Sequence, residues 1–242
     1  MVTPYFMYYY YPEILYEDNH ILIVNKKPGD IVQGDKTGDT PLSDIIKQYI
    51  KDKYNKPGDV FLGVIHRIDR PVSGAVIFAR TSKALARLNA MLKNREIHKT
   101  YLAVVKNKPP EDKGHLINYL YHNEKNNKTY VSGTEKNKYL RSELTYELLQ
   151  KSNNYFLLKI NLITGRHHQI RAQLAAAGCP IKGDLKYGYP RPNADGSICL
   201  HSLQTEFLHP VQQKSLQVIA PPPANGCWKM FTLQAIPSLS VF

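Results

Sequence analysis

Apolar positions along this chain fall into short runs with two different spacings. Ile21–Asn25 is a compact apolar run closed by Lys26-Lys27-Pro28-Gly29, whose proline and glycine punctuate a turn, so a strand is predicted there. Pro41 opens a predicted helix through Tyr49, with Leu42, Ile45, Ile46 and Tyr49 on one face. Thr81 or Ser82 can cap a second helix, in which Leu85, Leu88, Met91 and Leu92 recur at helical spacing while Lys83, Arg87, Lys93 and Arg95 stay outside. That stripe reads as core. Period-two alternation appears at Leu144, Tyr146, Leu148 and again at Phe156, Leu158, Ile160, Leu162, and Ser152-Asn153-Asn154 between them predicts a β-hairpin.

Elsewhere, Lys99–Val105, which contains Tyr101, reads as a strand, and a helix is expected from about His168 to Ala177, stopped by Gly178. Residues 107–141 are polar and Lys-rich and are expected to form an exposed excursion with a hairpin around Ser132-Gly133. Short strands are predicted near Cys199–Thr205 and Leu216–Ala220, before Pro221-Pro222-Pro223 interrupts regular structure. Strands and helices mix without strict alternation and no solenoid-type repeat occurs, which makes the fold class α+β. The domain expectation is a Tyr-rich extension over residues 1–12, then a single domain over 13–242.

At 242 residues the chain can bury roughly three-quarters of its unfolded surface, so its core is ample. Charge changes the picture more. Lys plus Arg number 32 against 20 acids, a formal net charge of +12, which favours a polyanionic partner, nucleic acid before anionic membrane. No apolar run approaches the ~20 residues that cross a bilayer, and the N-terminus lacks the pattern of a signal peptide. Cys179, Cys199 and Cys227 are odd in number and far apart, so they are expected to be reduced thiols in a cytoplasmic protein, with no disulfide framework and no paired-cysteine zinc site.

Two constellations carry candidate chemistry. His66-Arg67-Ile68-Asp69-Arg70-Pro71-Val72-Ser73 sets one carboxylate among three basic side chains, with Gly74 next and apolar runs on both sides. An acid so placed is expected to be ionised and fixed in direction, suited to act as nucleophile or base on an anionic substrate, although such clusters also serve as plain structural ion pairs. Thr164-Gly165-Arg166-His167-His168-Gln169-Ile170-Arg171 sits where a strand hands over to a helix; glycine permits the turn, and Arg166 and Lys182 can add charge at the helix start. Helical spacing puts Arg171 between core and open surface, where it needs an acid: Asp69 is the natural partner and Asp184 the alternative.

Other chemistry finds little support. Gly183–Gly188 has P-loop glycine spacing, but Tyr189 stands where lysine is required. His167 and His168 are adjacent without a spaced third ligand, so no metal is expected. The conspicuous motif holds one carboxylate, not the two of a glycoside hydrolase.

From about Glu13 to Ala220 the sequence resembles the RluA-type RNA pseudouridine synthases. The resemblance rests on ordered blocks: Ile21–Gly29 for the opening strand and Lys-Pro-x-Gly turn, His66–Arg70 with Ser73-Gly74 for the catalytic block, Lys99–Ala103 for K-x-Y-x-A, Thr164–Arg171 with Gly178–Asp184 and Tyr187-Gly188, and Leu200-His201 with Phe207–Pro210. Pro71-Val72 and Ala172-Gln173 depart from the usual pairs. The family's N-terminal S4-type domain is expected to be lacking, since the opening strand starts by residue 21.

The resemblance implies a pseudouridine synthase fold, with a mixed, largely antiparallel central sheet flanked by helices. It implies Asp69 as the catalytic aspartate, Tyr101 stacked on the target uracil and able to assist at its C5 proton, and Arg171 paired with Asp69. Arg67, on the opposite strand face from Asp69, would fill the gap left by the extruded base, and Leu200 would give the ring an apolar floor. His66, Arg166, His168 and Gln169 complete the implied substrate-binding set. The implied partner is ribosomal or transfer RNA, with no membrane, no obligate protein partner, a monomeric state and no metal or other cofactor. Two other readings stay open: a non-catalytic RNA-binding or ribosome-assembly protein on the same fold, and a hydrolase of nucleosides or sugars.

Overall fold

A computed structural model describes residues 11–224 and 226–233; Tyr5 and Tyr8–Tyr10 of the N-terminal extension lie outside them. In chain order the elements are β1 (Glu13–Glu17), β2 (Ile21–Lys26), α1 (Leu42–Lys53), β3 (Gly63–Val64), β4 (Ser73–Ala79), α2 (Ser82–Asn94), β5 (His98–Val105), β6 (Lys113–Asn123), β7 (Lys128–Ser132), β8 (Leu140–Lys151), β9 (Phe156–Leu162), α3 (Gln169–Ala176), β10 (Leu200–Leu208) and β11 (Ser215–Ile219). Single-turn 3-10 helices cover Leu185–Tyr187 and Gly226–Met230.

The strands form one sheet in the order β1-β2-β4-β10-β5-β9-β8-β6-β7, with β3 on β4 and β11 on β10. Among the described residues only β4 and β10 run parallel, at His201 against Ser73 and Ser202 against Gly74. Period-two alternation divides the core. Leu22, Val24, Val76 and Phe78 meet Leu42, Ile46 and Ile50 of α1, in one cluster with Ile170 and Leu174 of α3. Ile21, Ile23, Ala75 and Ile77 meet Ala84 and Leu88 of α2 on the other face. Thr81 caps α2 by accepting from the Ala84 N–H, and Arg95 ends it in the left-handed conformation.

The β8–β9 hairpin turns where the alternation placed it. The Lys-rich excursion does not. Its hairpin is β6–β7, turning at residues 124–127 rather than around Ser132-Gly133, and β6 pairs with β8 over eight residues from Lys113↔Glu147 to Leu120↔Leu140, so the segment widens the sheet. Its apolar residues are split between the two faces, Leu116 and Leu120 on one and Ile117 on the other, among polar neighbours, so no single apolar face stands out in a hydrophobicity pattern.

The cysteine expectation is also corrected. The C-terminal 3-10 helix folds back over the start of β10, sets Trp228 edge-on to His201 at 5.7 Å and bonds Cys227 to Cys199, leaving Cys179 as a buried free thiol. A sequence separation of 28 becomes a Cα–Cα distance of 6.4 Å through that reversal, which no local spacing encodes.

Candidate active site

Residues 66–72 form a loop between β3 and β4, not a strand, and several contacts pin it. Ile68 and Val72 are buried on either side of Asp69, and the Val72 N–H turns back to the Asp69 carbonyl at 3.0 Å. The Arg70 carbonyl accepts from the Gly29 N–H at 2.8 Å and from Lys26 Nζ at 3.1 Å. Lys26, 1% exposed, also donates to the carbonyls of Lys27 and Asp30. Burial pulls its pKa down to about 8, with the charges of Asp30 and Asp69 acting against that fall. The Ile198 N–H holds the Pro71 carbonyl at 3.0 Å. Arg70 turns outward to Thr37 and Asp39.

At the end of the loop Gly74 has φ +116°, and a Cβ there would sit 2.3 Å from the Ser202 carbonyl oxygen. Only glycine lets β4 approach β10 this closely. Above that contact the strands part. Residues 78 and 79 of β4 pair with β3, and the Ile77 N–H below them donates to His66 Nε2 at 3.1 Å. The imidazole thus takes the place of a strand partner. Burial, helped by the Lys99 charge, lowers its pKa well below the usual value, so His66 is neutral.

Asp69 retains 26% side-chain exposure. Arg171, 5% exposed on α3, donates through Nη1 to Asp69 Oδ2 at 2.8 Å. It also grips Asp184 in a fork, Nε to Oδ2 at 2.7 Å and Nη2 to Oδ1 at 2.8 Å. Both candidate partners are therefore used. Burial opposes the Arg171 charge, but Asp184 and Asp69 outweigh it and raise the pKa, so the guanidinium is permanently charged. Its carbon lies 5.1 Å from the centroid of the Tyr187 ring.

Tyr101 projects from β5 opposite Ser202 of β10 and is buried at 6% exposure. Burial raises its pKa to about 12, with the Asp69 charge acting in the same sense, so the phenol keeps its proton at neutral pH. Leu200, 4% exposed, starts β10 opposite Ala103 of β5. Ser73 Oγ meets His201 Nδ1 at 2.8 Å, and His201 Nε2 donates to the Ala220 carbonyl at 2.9 Å, a fully buried prop behind the site.

The turn before α3 is tightened by His168, at φ +50°, rather than by Gly165, whose φ is not positive. His168 Nε2 stands 3.4 Å from Asp69 Oδ2. Gln169 faces inward: its Oε1 accepts from Thr164 Oγ1 at 2.8 Å and from the Arg166 N–H at 3.0 Å, and its Nε2 donates to the Glu143 carbonyl at 3.1 Å. It secures the loop. Arg67 and Arg166 are exposed, and the Arg67 charge is felt at His167, which places it near the start of α3. Lys182 is not at that helix start; its Nζ donates to Asn193 Oδ1 at 2.6 Å.

The structure thus gathers Asp69, Arg171, His168 and Tyr101, and assigns His66 and Gln169 to holding the loops. Sequence reasoning gave no role to Lys26, Tyr187 or Thr129. Lys26 carried a signal, a lone charge ending an apolar strand at a Pro-Gly turn; Tyr187 stood in a quoted motif without a task.

A search of family models matches residues 20–176 to RNA pseudouridylate synthase. The chain is 33% identical over 216 residues to the dual-specificity RNA pseudouridine synthase RluA of Pasteurella multocida, covering 88% of this chain and 94% of that protein. It is 33% identical over 215 residues to the ribosomal large subunit pseudouridine synthase C of Buchnera aphidicola, covering 86% of this chain and 66% of that protein. A relative from Xylella fastidiosa, ribosomal large subunit pseudouridine synthase D, is 28% identical over 235 residues, or 92% of this chain and 69% of its own length. The chain therefore spans about two thirds of the length of the latter two relatives. Among solved structures, human RNA pseudouridylate synthase domain containing 4 superposes with a TM-score of 0.73 at 20% identity, covering 88% of this chain and 89% of its own. Human RNA pseudouridylate synthase domain containing 1 gives 0.70 at 22%, covering 89% and 85%. These two share the fold. The family is one of isomerases acting on RNA, and the chain belongs to it: it is an RNA pseudouridine synthase by family.

Proposed function

We propose that this protein isomerises specific uridines in structured RNA, ribosomal or transfer, with Asp69 as the group that acts on the ribose. The observation that carries this reading is a partly exposed carboxylate held by a buried, doubly paired arginine and near enough to a buried tyrosine for its charge to act on the phenol. By resemblance the carboxylate attacks C1′ or removes a proton from C2′; either route breaks the C1′–N1 bond, frees the uracil to turn and rejoins it through C5. C5 loses its hydrogen, N1 gains one, and the sum is an isomerisation.

Tyr101 supports this as a stacking surface; its high pKa disfavours it as a base at C5. Arg171 fixes and counterbalances the carboxylate, Leu200 floors the ring, and exposed Arg67 and Arg166 are placed to meet the RNA. A target inside a helix must leave its stack, at a cost of a few kcal/mol that loops and bulges reduce. The +12 charge suits the polyanion.

We further infer one catalytic domain over residues 13–242 acting as a monomer without metal or cofactor, in the cytoplasm. Among the described residues no helix is long and apolar enough to cross a membrane. The Cys199–Cys227 disulfide argues against a strongly reducing compartment and makes the cytoplasmic reading rest on the substrate class. The test is pseudouridine mapping of total RNA from cells with and without the gene. Sites lost on deletion and restored by the wild-type gene are expected; an unchanged map overturns the proposal and favours the non-catalytic RNA-binding reading.

A further inference from the structure

The β6–β7 hairpin reaches the catalytic aspartate. His122 and Thr129 are directly opposite on its two strands, and together they hold the residues just before α3. His122 stacks on His167 at 3.6 Å between ring centroids, and His167 on His168 at 3.7 Å. Thr129 Oγ1 donates to the His167 carbonyl at 2.9 Å and meets His167 Nδ1 at 2.9 Å. The Thr129 N–H donates to the Tyr187 hydroxyl at 2.8 Å, and that hydroxyl lies 2.9 Å from His168 Nδ1.

Donor logic sets the protons. The Tyr187 oxygen is already accepting from a backbone N–H, so its own hydrogen is free for His168 Nδ1. A neutral imidazole that accepts at Nδ1 carries its hydrogen at Nε2, and Nε2 is the atom facing Asp69 Oδ2 at 3.4 Å. Burial and the Arg171 charge keep His168 neutral, in line with this geometry. Arg171 Nη1 also falls on Oδ2. Among the described residues, Oδ1 accepts no hydrogen bond, and the side chain keeps 26% exposure, so Oδ1 is the carboxylate oxygen left free to react.

We propose that Thr129 and Tyr187 are positioning residues: acting through the Nε2–H tautomer of His168, they help Arg171 hold Asp69 by Oδ2 and present Oδ1 to the ribose. The hairpin is thereby part of the catalytic setting as well as of the basic surface. This rests on the reading of Asp69 as the reacting group.

Two measurements test it. The first follows tritium release from C5-tritiated total RNA of cells lacking the gene, using wild type, Tyr187→Phe, His168→Asn and the double variant. Asparagine suits the left-handed backbone at position 168. Each single variant is expected to lower kcat about tenfold with KM unchanged, and the double variant to be no worse than the poorer single one. Wild-type kcat in Tyr187→Phe, a change confined to KM, or additive losses would overturn the inference. Release absent from wild type would instead overturn the functional reading beneath it. The second needs neither substrate nor variant: nitrogen-15 chemical shifts of His168 in the intact protein should report the Nε2–H tautomer, and the Nδ1–H tautomer would refute the chain.

Discussion

Arg171 gives two of its N–H groups to Asp184 and one to Asp69, so the acid that is 1% exposed orients the cation that orients the exposed one. A guanidinium held in a fork has little rotational freedom, and the direction of its third donor is set by the first two.

Asp184→Asn should accordingly act on both stability and catalysis. Removing one partner from a buried pair typically costs ~3–5 kcal/mol, because the remaining charge stays buried. Urea denaturation should show a loss in that range and kcat should fall with it; a loss below ~1 kcal/mol would show that the fork contributes nothing.

Acid should unfold the protein early. His201 is fully buried, and burial lowers its pKa from 6.5 to about 4. The unfolded chain then binds the proton that the folded one refuses, so stability is complete above about pH 6.5 and is lost as pH falls towards 4. His66 and His167 add in the same sense. For His201 alone this amounts to about 3 kcal/mol. Stability measured at pH 7 and 4.5 for wild type and His201→Gln should converge at the lower pH; a constant gap would contradict the assignment.

Gly74→Ala should fail structurally. The new Cβ would meet backbone atoms of Ser202 at 2.3–2.7 Å, and the residue would sit at φ +116°. Backbone cannot yield as a flexible side-chain tip can, so β4 and β10 must separate, costing upwards of ~3 kcal/mol and the alignment of the loop that carries Asp69. A fully stable, active variant by thermal melt and turnover would show that the two strands have slack.

Thiol titration checks the disulfide. Denatured but unreduced protein should give one free thiol, that of Cys179, and three after reduction. Closing a 28-residue separation contributes about 3–4 kcal/mol in the chain-entropy account, so Cys227→Ser should lower stability by a similar amount. Three thiols without reductant would place the protein back among reduced-cysteine chains.

What the sequence made legible follows its periodicities. The β8–β9 hairpin and α2 could be read because apolar residues mark one face, and the Asp69–Arg171 pair because a cation at a core boundary needs an acid. The β6–β7 hairpin was hidden because its apolar residues, Leu116, Ile117 and Leu120 among them, are split between two faces and interspersed with polar ones. His66 could not be read as a filler of a strand gap, nor Gln169 as a loop brace, because both roles depend on backbone groups brought in from other elements. Arg171 was weighed between two acids; the planar fork serves both, which a pairwise search does not anticipate.

The central claim concerns one carboxylate, and replacing it isosterically tests it most directly. Asp69→Asn keeps the size of the side chain and a carbonyl oxygen able to accept from Arg171, but removes the nucleophile and base. With RNA from cells lacking the gene, the purified variant should bind RNA as wild type does and form no pseudouridine over many wild-type turnover times. Pseudouridine formed at a rate near that of wild type would contradict the account.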